Sequence, residues 1–131
     1  MMSMISASLI RLGLLRCFPF FDEVENIVYP NFKDGEGEWH MKAVTDGQHK
    51  CLLGMLPPGS SIGLHTHETN SEMFYIISGT GKVLCDGVYE PLKPGDVHYC
   101  PMGHAHSLIN DGEVDLVVFG TVPEHRDVSK D

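Results

Sequence analysis

The chain has little positive charge. Its 131 residues include 9 lysines and arginines against 18 aspartates and glutamates, which gives a formal net charge of −9 with neutral histidines. A protein this acidic repels phosphate backbones and anionic lipid headgroups. The composition therefore predicts no nucleic acid partner and no membrane partner, and it leaves small-molecule ligands open.

Long hydrophobic runs and paired cysteines are also missing. The apolar-rich segment 1–21 is broken by Arg11 and Arg16 and is followed by no A-x-A cleavage site, so it predicts neither a signal peptide nor a transmembrane helix. The four cysteines, at positions 17, 51, 85 and 100, form no CxxC pair. They predict reduced, mostly buried thiols in a cytoplasmic protein, with an inter-subunit disulfide or a reactive thiol as the alternatives.

Turn residues are abundant, whereas helical periodicity is scarce. The chain contains 14 glycines and 8 prolines, which favours a β-rich fold over a helix bundle. From about residue 36, short apolar stretches alternate with turn signals, and this spacing predicts an antiparallel sandwich or barrel. The predicted strands are 39–44, 50–56, 73–77, 82–85, 88–92, 97–100, 105–109 and 114–122.

The length predicts one domain, flanked by two peripheral segments. Before the strands, Ile5, Leu9 and Leu12 fall at helical spacing and supply one apolar face. We expect this short helix or strand to pack against the barrel or against a partner subunit. The predicted parts are an N-terminal extension (1–35), the barrel (36–122) and a polar tail (123–131).

Histidines and one carboxylate cluster in the middle of the chain. His65 and His67 are two residues apart, which on a strand places both imidazoles on one face. Glu72 follows a polar turn, and His106 comes from a later strand. Three nitrogens and one carboxylate oxygen suit a divalent first-row transition metal better than calcium or magnesium. The alternative for a His-x-His pair alone is a surface pair or a packing feature.

Two motifs surround these residues. The stretch Gly59 to Gly79 reads GSSIGLHTHETNSEMFYIISG and fills every fixed position of G-x5-H-x-H-x4-E-x6-G. The stretch Gly95 to Asn110 reads GDVHYCPMGHAHSLIN and fills G-x5-P-x-G-x2-H-x3-N. Both motifs, in this order, resemble those of the cupin family, and the resemblance covers about residues 36–122.

The resemblance implies an all-β fold, the double-stranded β-helix or jelly-roll barrel, with a metal ion inside one end. It implies that the ligands are His65, His67, Glu72 and His106, and that the cofactor is one divalent transition metal: iron, manganese, nickel or zinc. Members of the family are commonly dimeric, so we expect a homodimer.

Other side chains lie near these predicted ligands. Phe74 and Ile76 share strand parity with the carboxylate ligand, so they either line the cavity or fill the barrel interior. His104 lies two residues before the last histidine ligand and is a candidate catalytic acid or base, or else a solvated loop residue. His98 and Tyr99 are adjacent on one strand, so at most one of them faces inward, and the sequence does not decide which.

Two functions follow from these expectations. The first, which the mixed ligand set favours, is a metal-dependent enzyme acting on a small oxygen-rich or chelating metabolite, of the dioxygenase, isomerase or lyase type. The second is a non-catalytic module that binds a sugar or an organic acid. An acid or base within reach of the open coordination positions distinguishes the two. A metal that only cross-links strands is a third alternative.

Overall fold

The computed structural model describes residues 21–125, and these residues are almost entirely β-structure. The predictions for residues 1–20, including the apolar face of Ile5, Leu9 and Leu12, and for residues 126–131 lie outside the described residues. Two short 3-10 turns occupy Phe21–Glu23 and Phe32–Asp34. The strands are β1 (Ile27–Pro30), β2 (Glu38–Thr45), β3 (His49–Leu56), β4 (His65–Thr66), β5 (Glu72–Ser78), β6 (Gly81–Cys85), β7 (Val88–Leu92), β8 (Val97–Cys100), β9 (Ala105–Ile109) and β10 (Leu116–Pro123).

The strands form two antiparallel sheets. A six-stranded sheet has the order β1-β2-β3-β10-β5-β8, and a four-stranded sheet has the order β4-β9-β6-β7. This arrangement confirms the predicted all-β jelly-roll class. Within residues 21–125 the strands do not close into a single barrel, because no continuous ladder joins the two sheets.

Eight predicted strands have counterparts in the structure, with small shifts at their ends. Two strands had no predicted counterpart. β1 lies within the segment 1–35 and extends the six-stranded sheet by pairing with β2. β4 has only two residues, and it pairs with β9 at His65 and His106.

The core lies between the two sheets. Buried and partly buried residues alternate strictly along β10, as expected for a strand with one face on the core. Trp39 is 1% exposed and packs its indole directly over Gly54, where an added Cβ would lie 2.0 Å from the ring. Glycine is therefore needed at this position of β3 for the largest core side chain to fit.

Asn110, the last fixed residue of the second motif, holds one end of the structure together. Its side chain is 1% exposed, and its amide nitrogen donates to the carbonyls of Leu56 and Val114, each at 2.8 Å. Its side-chain oxygen accepts a hydrogen bond from the backbone of Gly112 at 2.9 Å. The asparagine thus connects the end of β3 to the turn before β10.

Candidate metal centre

The predicted ligands come from both sheets and meet where the sheets converge. His65 in β4 lies directly opposite His106 in β9. Glu72 is the first residue of β5 in the other sheet, and His67 lies in the connection between β4 and β5. One ligand atom from each of the four residues lies within 4.8 Å of the other three. The structure therefore brings together the whole set expected from the sequence.

The ligand atoms are close to one another and largely shielded from solvent. Nε2 of His67 and Nε2 of His106 are 3.0 Å apart. Oε1 of Glu72 lies 3.1 Å from the first of these nitrogens and 3.0 Å from the second. His106 is 1% exposed, and Glu72 and His67 are also buried, whereas His65 is half-buried. The cluster is thus closed on the side of the core and open beside His65.

Each imidazole is fixed by a contact on its other nitrogen. Nδ1 of His65 lies 2.7 Å from the carbonyl oxygen of Gly63, and Nδ1 of His67 lies 2.6 Å from the side-chain oxygen of Asn70. Both partners are acceptors, so each Nδ1 carries the hydrogen; Nε2 then has a free lone pair when the ring is neutral, and that of His67 can donate to Glu72 when the ring is protonated. Such outer contacts orient histidine ligands and fix their tautomer.

His98 plays the same part for the third imidazole. Its side chain is buried, whereas that of the adjacent Tyr99 is 55% exposed, which settles the choice that the sequence left open. Nε2 of His98 lies 2.8 Å from Nδ1 of His106. Burial, together with the charge of His106, lowers the pKa of His98 to about 4, so the ring is neutral and can accept the hydrogen of His106.

Electrostatics keep the carboxylate charged. Burial raises the pKa of Glu72, but hydrogen bonds with His106 and His67 outweigh this effect and bring the pKa to about 2. The same hydrogen bond with Glu72 raises the pKa of His67. Burial lowers the pKa of His65, which favours its neutral, ligating form.

The cluster fits a divalent transition metal. Nitrogen lone pairs only 3.0 Å apart repel each other unless a cation or a proton lies between them. Three imidazoles and one carboxylate form a mixed donor set of the kind that iron, manganese, nickel and zinc accept. Fewer than six protein ligands leave positions for a small molecule.

A cavity of about 350 Å³ leads to the cluster. His65, His67 and Glu72 form part of its wall, and Lys33 and Lys50 form another part. This volume is at the lower end of the range for small-molecule sites. The cluster therefore faces a space large enough for a small metabolite.

Phe74 and Ile76 do not line this cavity. They are 1% and 0% exposed and belong to the hydrophobic core. The ring of Phe74 stacks on His106 with centroids 6.0 Å apart and an interplanar angle of 12°. Of the two roles considered for them, the described structure shows the filling of the interior.

His104 does not reach the cavity either. Its side chain is 45% exposed, and its Nδ1 lies 2.5 Å from Oδ2 of Asp86, in the hairpin between β6 and β7. Its backbone carbonyl accepts a hydrogen bond from the amide of His67 at 3.0 Å. His104 thus supports the cluster through its main chain, while its imidazole points to a surface carboxylate.

The site and the fold have counterparts among known proteins. Residues 52–122 match the family model of the cupin domain. The chain belongs to the cupin family. A relative from Thermotoga maritima, named Oxalate-binding protein, is 39% identical to this cupin over 92 residues, which cover 66% of this chain and 76% of that protein.

A second relative and a solved structure are also similar to this chain. A 5-nitrosalicylic acid 1,2-dioxygenase from a Bradyrhizobium species is 27% identical over 85 residues, which cover 65% of this cupin and 40% of that enzyme. A crystal structure from Thermotoga maritima, named a predicted oxalate decarboxylase, superposes with a TM-score of 0.78 at 30% identity, over 83% of this chain and 100% of that one.

In residues 21–125, no helix has the length and apolar character needed to cross a membrane.

Proposed function

We propose that this cupin is a metal-dependent enzyme that acts on a small, oxygen-rich acid able to chelate the metal, with oxalate or a similar dicarboxylate as the substrate class. The observation that carries the proposal is the convergence of His65, His67, Glu72 and His106 beside a cavity of about 350 Å³. The names of the relatives from Thermotoga maritima support the substrate class.

The residues of the chain have defined roles in this proposal. The three imidazoles and the carboxylate hold one iron, manganese, nickel or zinc ion. The ion supplies a Lewis acid that binds and polarises substrate oxygen atoms. The buried core side of the cluster keeps water away from one face, while the cavity admits the substrate on the other. Of the dioxygenase, isomerase and lyase types, we propose lyase chemistry, in which a carbon–carbon bond of a dicarboxylate breaks, carbon dioxide leaves and a proton from solvent takes its place on the remaining carbon.

A non-catalytic binding module is the second candidate. It is favoured by the position of His104, because the candidate acid or base of the sequence analysis lies outside the cavity wall. The cavity wall still contains one carboxylate besides Glu72, that of the exposed Glu68. The two candidates thus differ in whether the bound acid is transformed.

The test combines binding and turnover. Protein loaded separately with manganese, iron, nickel and zinc is titrated with oxalate by calorimetry, and formate and carbon dioxide are then measured. Formate production by the wild type, lost in His106→Ala, supports the enzyme. Binding without product for every metal contradicts the enzyme and supports the binding module. Absence of binding with every metal contradicts the substrate class.

Cytoplasmic localisation remains a proposal. Cys51, Cys85 and Cys100, the cysteines among residues 21–125, are free thiols. Free thiols are usual in a reducing compartment. A fluorescent fusion followed by cell fractionation tests the localisation, and recovery of the fusion outside the cytoplasm would contradict it.

A further inference from the structure

The lysines of residues 21–125 fall into two groups. Three of the five lie away from the cavity, and each has an oxygen partner. These pairs are Lys42 with the carbonyl of Phe21 at 3.3 Å, Lys82 with Asp111 at 3.9 Å, and Lys93 with Asp96 at 2.8 Å. The other two, Lys33 and Lys50, both line the cavity, and neither ammonium has an oxygen partner in this part of the chain. The ammonium of Lys33 lies 5.5 Å from the centroid of the Phe32 ring, which also lines the cavity.

The two lysines without an oxygen partner come from separate elements. Lys33 lies in the 3-10 turn before β2, with a left-handed backbone conformation at φ 57°. The amide of Gly63 donates to the carbonyl of Phe32 at 3.0 Å, and this bond ties the turn to the segment that leads into His65. Lys50 is in β3, opposite Val122. The fold thus places a lysine on two independent parts of the cavity wall.

Their charges act on the region of the metal cluster. Among residues 21–125, Glu68 is the only carboxylate on the cavity wall besides Glu72, so the two lysines balance the two acidic groups of the wall before any metal binds. Glu124, outside the wall, is the one further carboxylate in this part of the chain on whose pKa Lys50 acts. A divalent ion then makes the cavity positive, although the chain as a whole carries −9. Lys50 is near enough to oppose the effect of Glu72 on the pKa of His67. A positive cavity in an acidic protein attracts a small dianion selectively.

We infer that Lys33 and Lys50 determine the substrate class: they bind the oxygens that the metal leaves uncoordinated on a small dicarboxylate dianion. A monocarboxylate or a neutral sugar leaves at least one ammonium without a partner. This inference rests on the proposed function, because it assigns the charge and size of the acid that binds at the same site.

The test measures affinity instead of activity. Manganese-loaded protein is titrated by calorimetry with oxalate, a dianion, and with glycolate, a monoanion of similar size. We expect the variant with both Lys33→Gln and Lys50→Gln to bind oxalate on the order of 100-fold more weakly, because two charge-assisted hydrogen bonds are lost. Its affinity for glycolate is expected to change less than about threefold, because the monoanion uses chiefly the metal.

The control removes the same charge elsewhere. The variant with both Lys82→Gln and Lys93→Gln is expected to bind oxalate like the wild type. Metal content and melting temperature are measured for every variant. If the glutamine variant folds poorly, the variant with Lys33→Arg and Lys50→Arg replaces it, and it must keep the preference for oxalate over glycolate.

The outcomes separate the two proposals. Wild type that binds oxalate, with equal affinity in both glutamine variants, overturns the role of the lysines and leaves the proposed function standing. Metal-loaded wild type that binds neither acid overturns the proposed function, and the inference falls with it. An equal loss of oxalate and glycolate affinity in the Lys33 and Lys50 variant would show a structural effect and also overturn the inference.

Discussion

The histidines of the candidate metal centre are held by contacts with atoms outside the cluster. A carbonyl, an amide oxygen and a second imidazole contact the Nδ1 atoms of His65, His67 and His106, respectively. Each contact directs a ring so that its Nε2 faces the cluster. The site is therefore oriented before a metal ion arrives, and the energetic cost of ordering the rings is met by the folding of the protein.

Substitution of His98 tests whether its contact with His106 supports metal binding. We expect His98→Ala to weaken metal affinity by about 10- to 100-fold, because His106 loses the partner that fixes its ring. Affinity is measured by competition with a chromophoric chelator. Tyr99→Ala, at the exposed neighbour, is the control and is expected to retain wild-type affinity. Equal metal affinity in the wild type and His98→Ala would show that the contact has no positioning role.

The packing of β2 against β3 depends on one glycine. In Gly54→Ala the new Cβ would lie 2.0 Å from the buried indole of Trp39, and a buried ring has little room to move. We expect the free energy of unfolding to fall by about 3 kcal/mol, measured by urea denaturation. In the control Gly112→Ala, the nearest atom is the Thr80 hydroxyl at 3.1 Å, and the expected loss is below about 1 kcal/mol. Equal losses would contradict this account of the packing.

The end of β10 supports the segment that follows His67. Oxygen atoms of Glu124 accept hydrogen bonds from Asn70 at 2.6 Å and Thr69 at 3.0 Å, and Asn70 in turn contacts His67. The bonds from Asn70 and then Thr69 lower the pKa of Glu124 below its usual 4.5. A lowered carboxyl pKa stabilises the fold above pH 4.5, and this contribution is lost as the pH falls through the folded-state value.

The lowered pKa of Glu124 predicts that the effect of Glu124→Ala on stability depends on pH. Metal-free wild type should be more stable than the variant by a constant amount from pH 6 to 8, and the difference should shrink below pH 4.5. Urea denaturation across this range measures it. Glu113→Ala is the control, because this exposed carboxylate has no hydrogen bond within the described part of the chain. A difference that grows toward acid pH would contradict the role of Glu124.

Across the whole molecule, the sequence predicts the long, regularly alternating strands and does not predict the short ones. The sequence pattern alone predicts the strands with clear alternation and turn signals, such as β5 and β10. The pattern does not predict β1 and β4, because strands of four and two residues carry too little periodicity and form only by pairing with β2 and β9.

Some residues of the candidate site are likewise predicted from the sequence, whereas others are recognised only in the folded structure. The two complete motifs predict the four clustered residues, which are His65, His67, Glu72 and His106. Strand parity shows only that at most one of His98 and Tyr99 faces inward, because the choice depends on which face of β8 packs on the core. No sequence pattern indicates Lys33 and Lys50, because the turn and the strand that carry them are distant in sequence and meet only in the folded cavity.

The predicted homodimer has a candidate surface on the six-stranded sheet. Its outer face exposes Tyr75 and Ile77 of β5 beside Val97 of β8. The ring of Phe21 covers part of this face, because its centroid lies 6.3 Å from that of Phe119 on the neighbouring strand β10. We propose that a second copy of this chain covers it.

Light scattering tests the dimer. The wild type is expected to have twice the mass of one chain, and the variant with Tyr75→Lys and Ile77→Lys is expected to be a monomer, because two charges would be buried in the interface. Val88→Lys, at an exposed position of the other sheet, is the control and should remain a dimer. A monomeric wild type at working concentration would refute the proposal.

The most direct test of the metal centre is elemental analysis of protein purified without a metal-affinity tag. We expect about one iron, manganese, nickel or zinc ion per chain in the wild type, and loss of the metal in His106→Ala and in the less buried His65→Ala. His104→Ala is the matched control and should keep its metal, because its ring faces Asp86. No bound metal in the wild type, even after incubation with each of the four ions, would contradict the account.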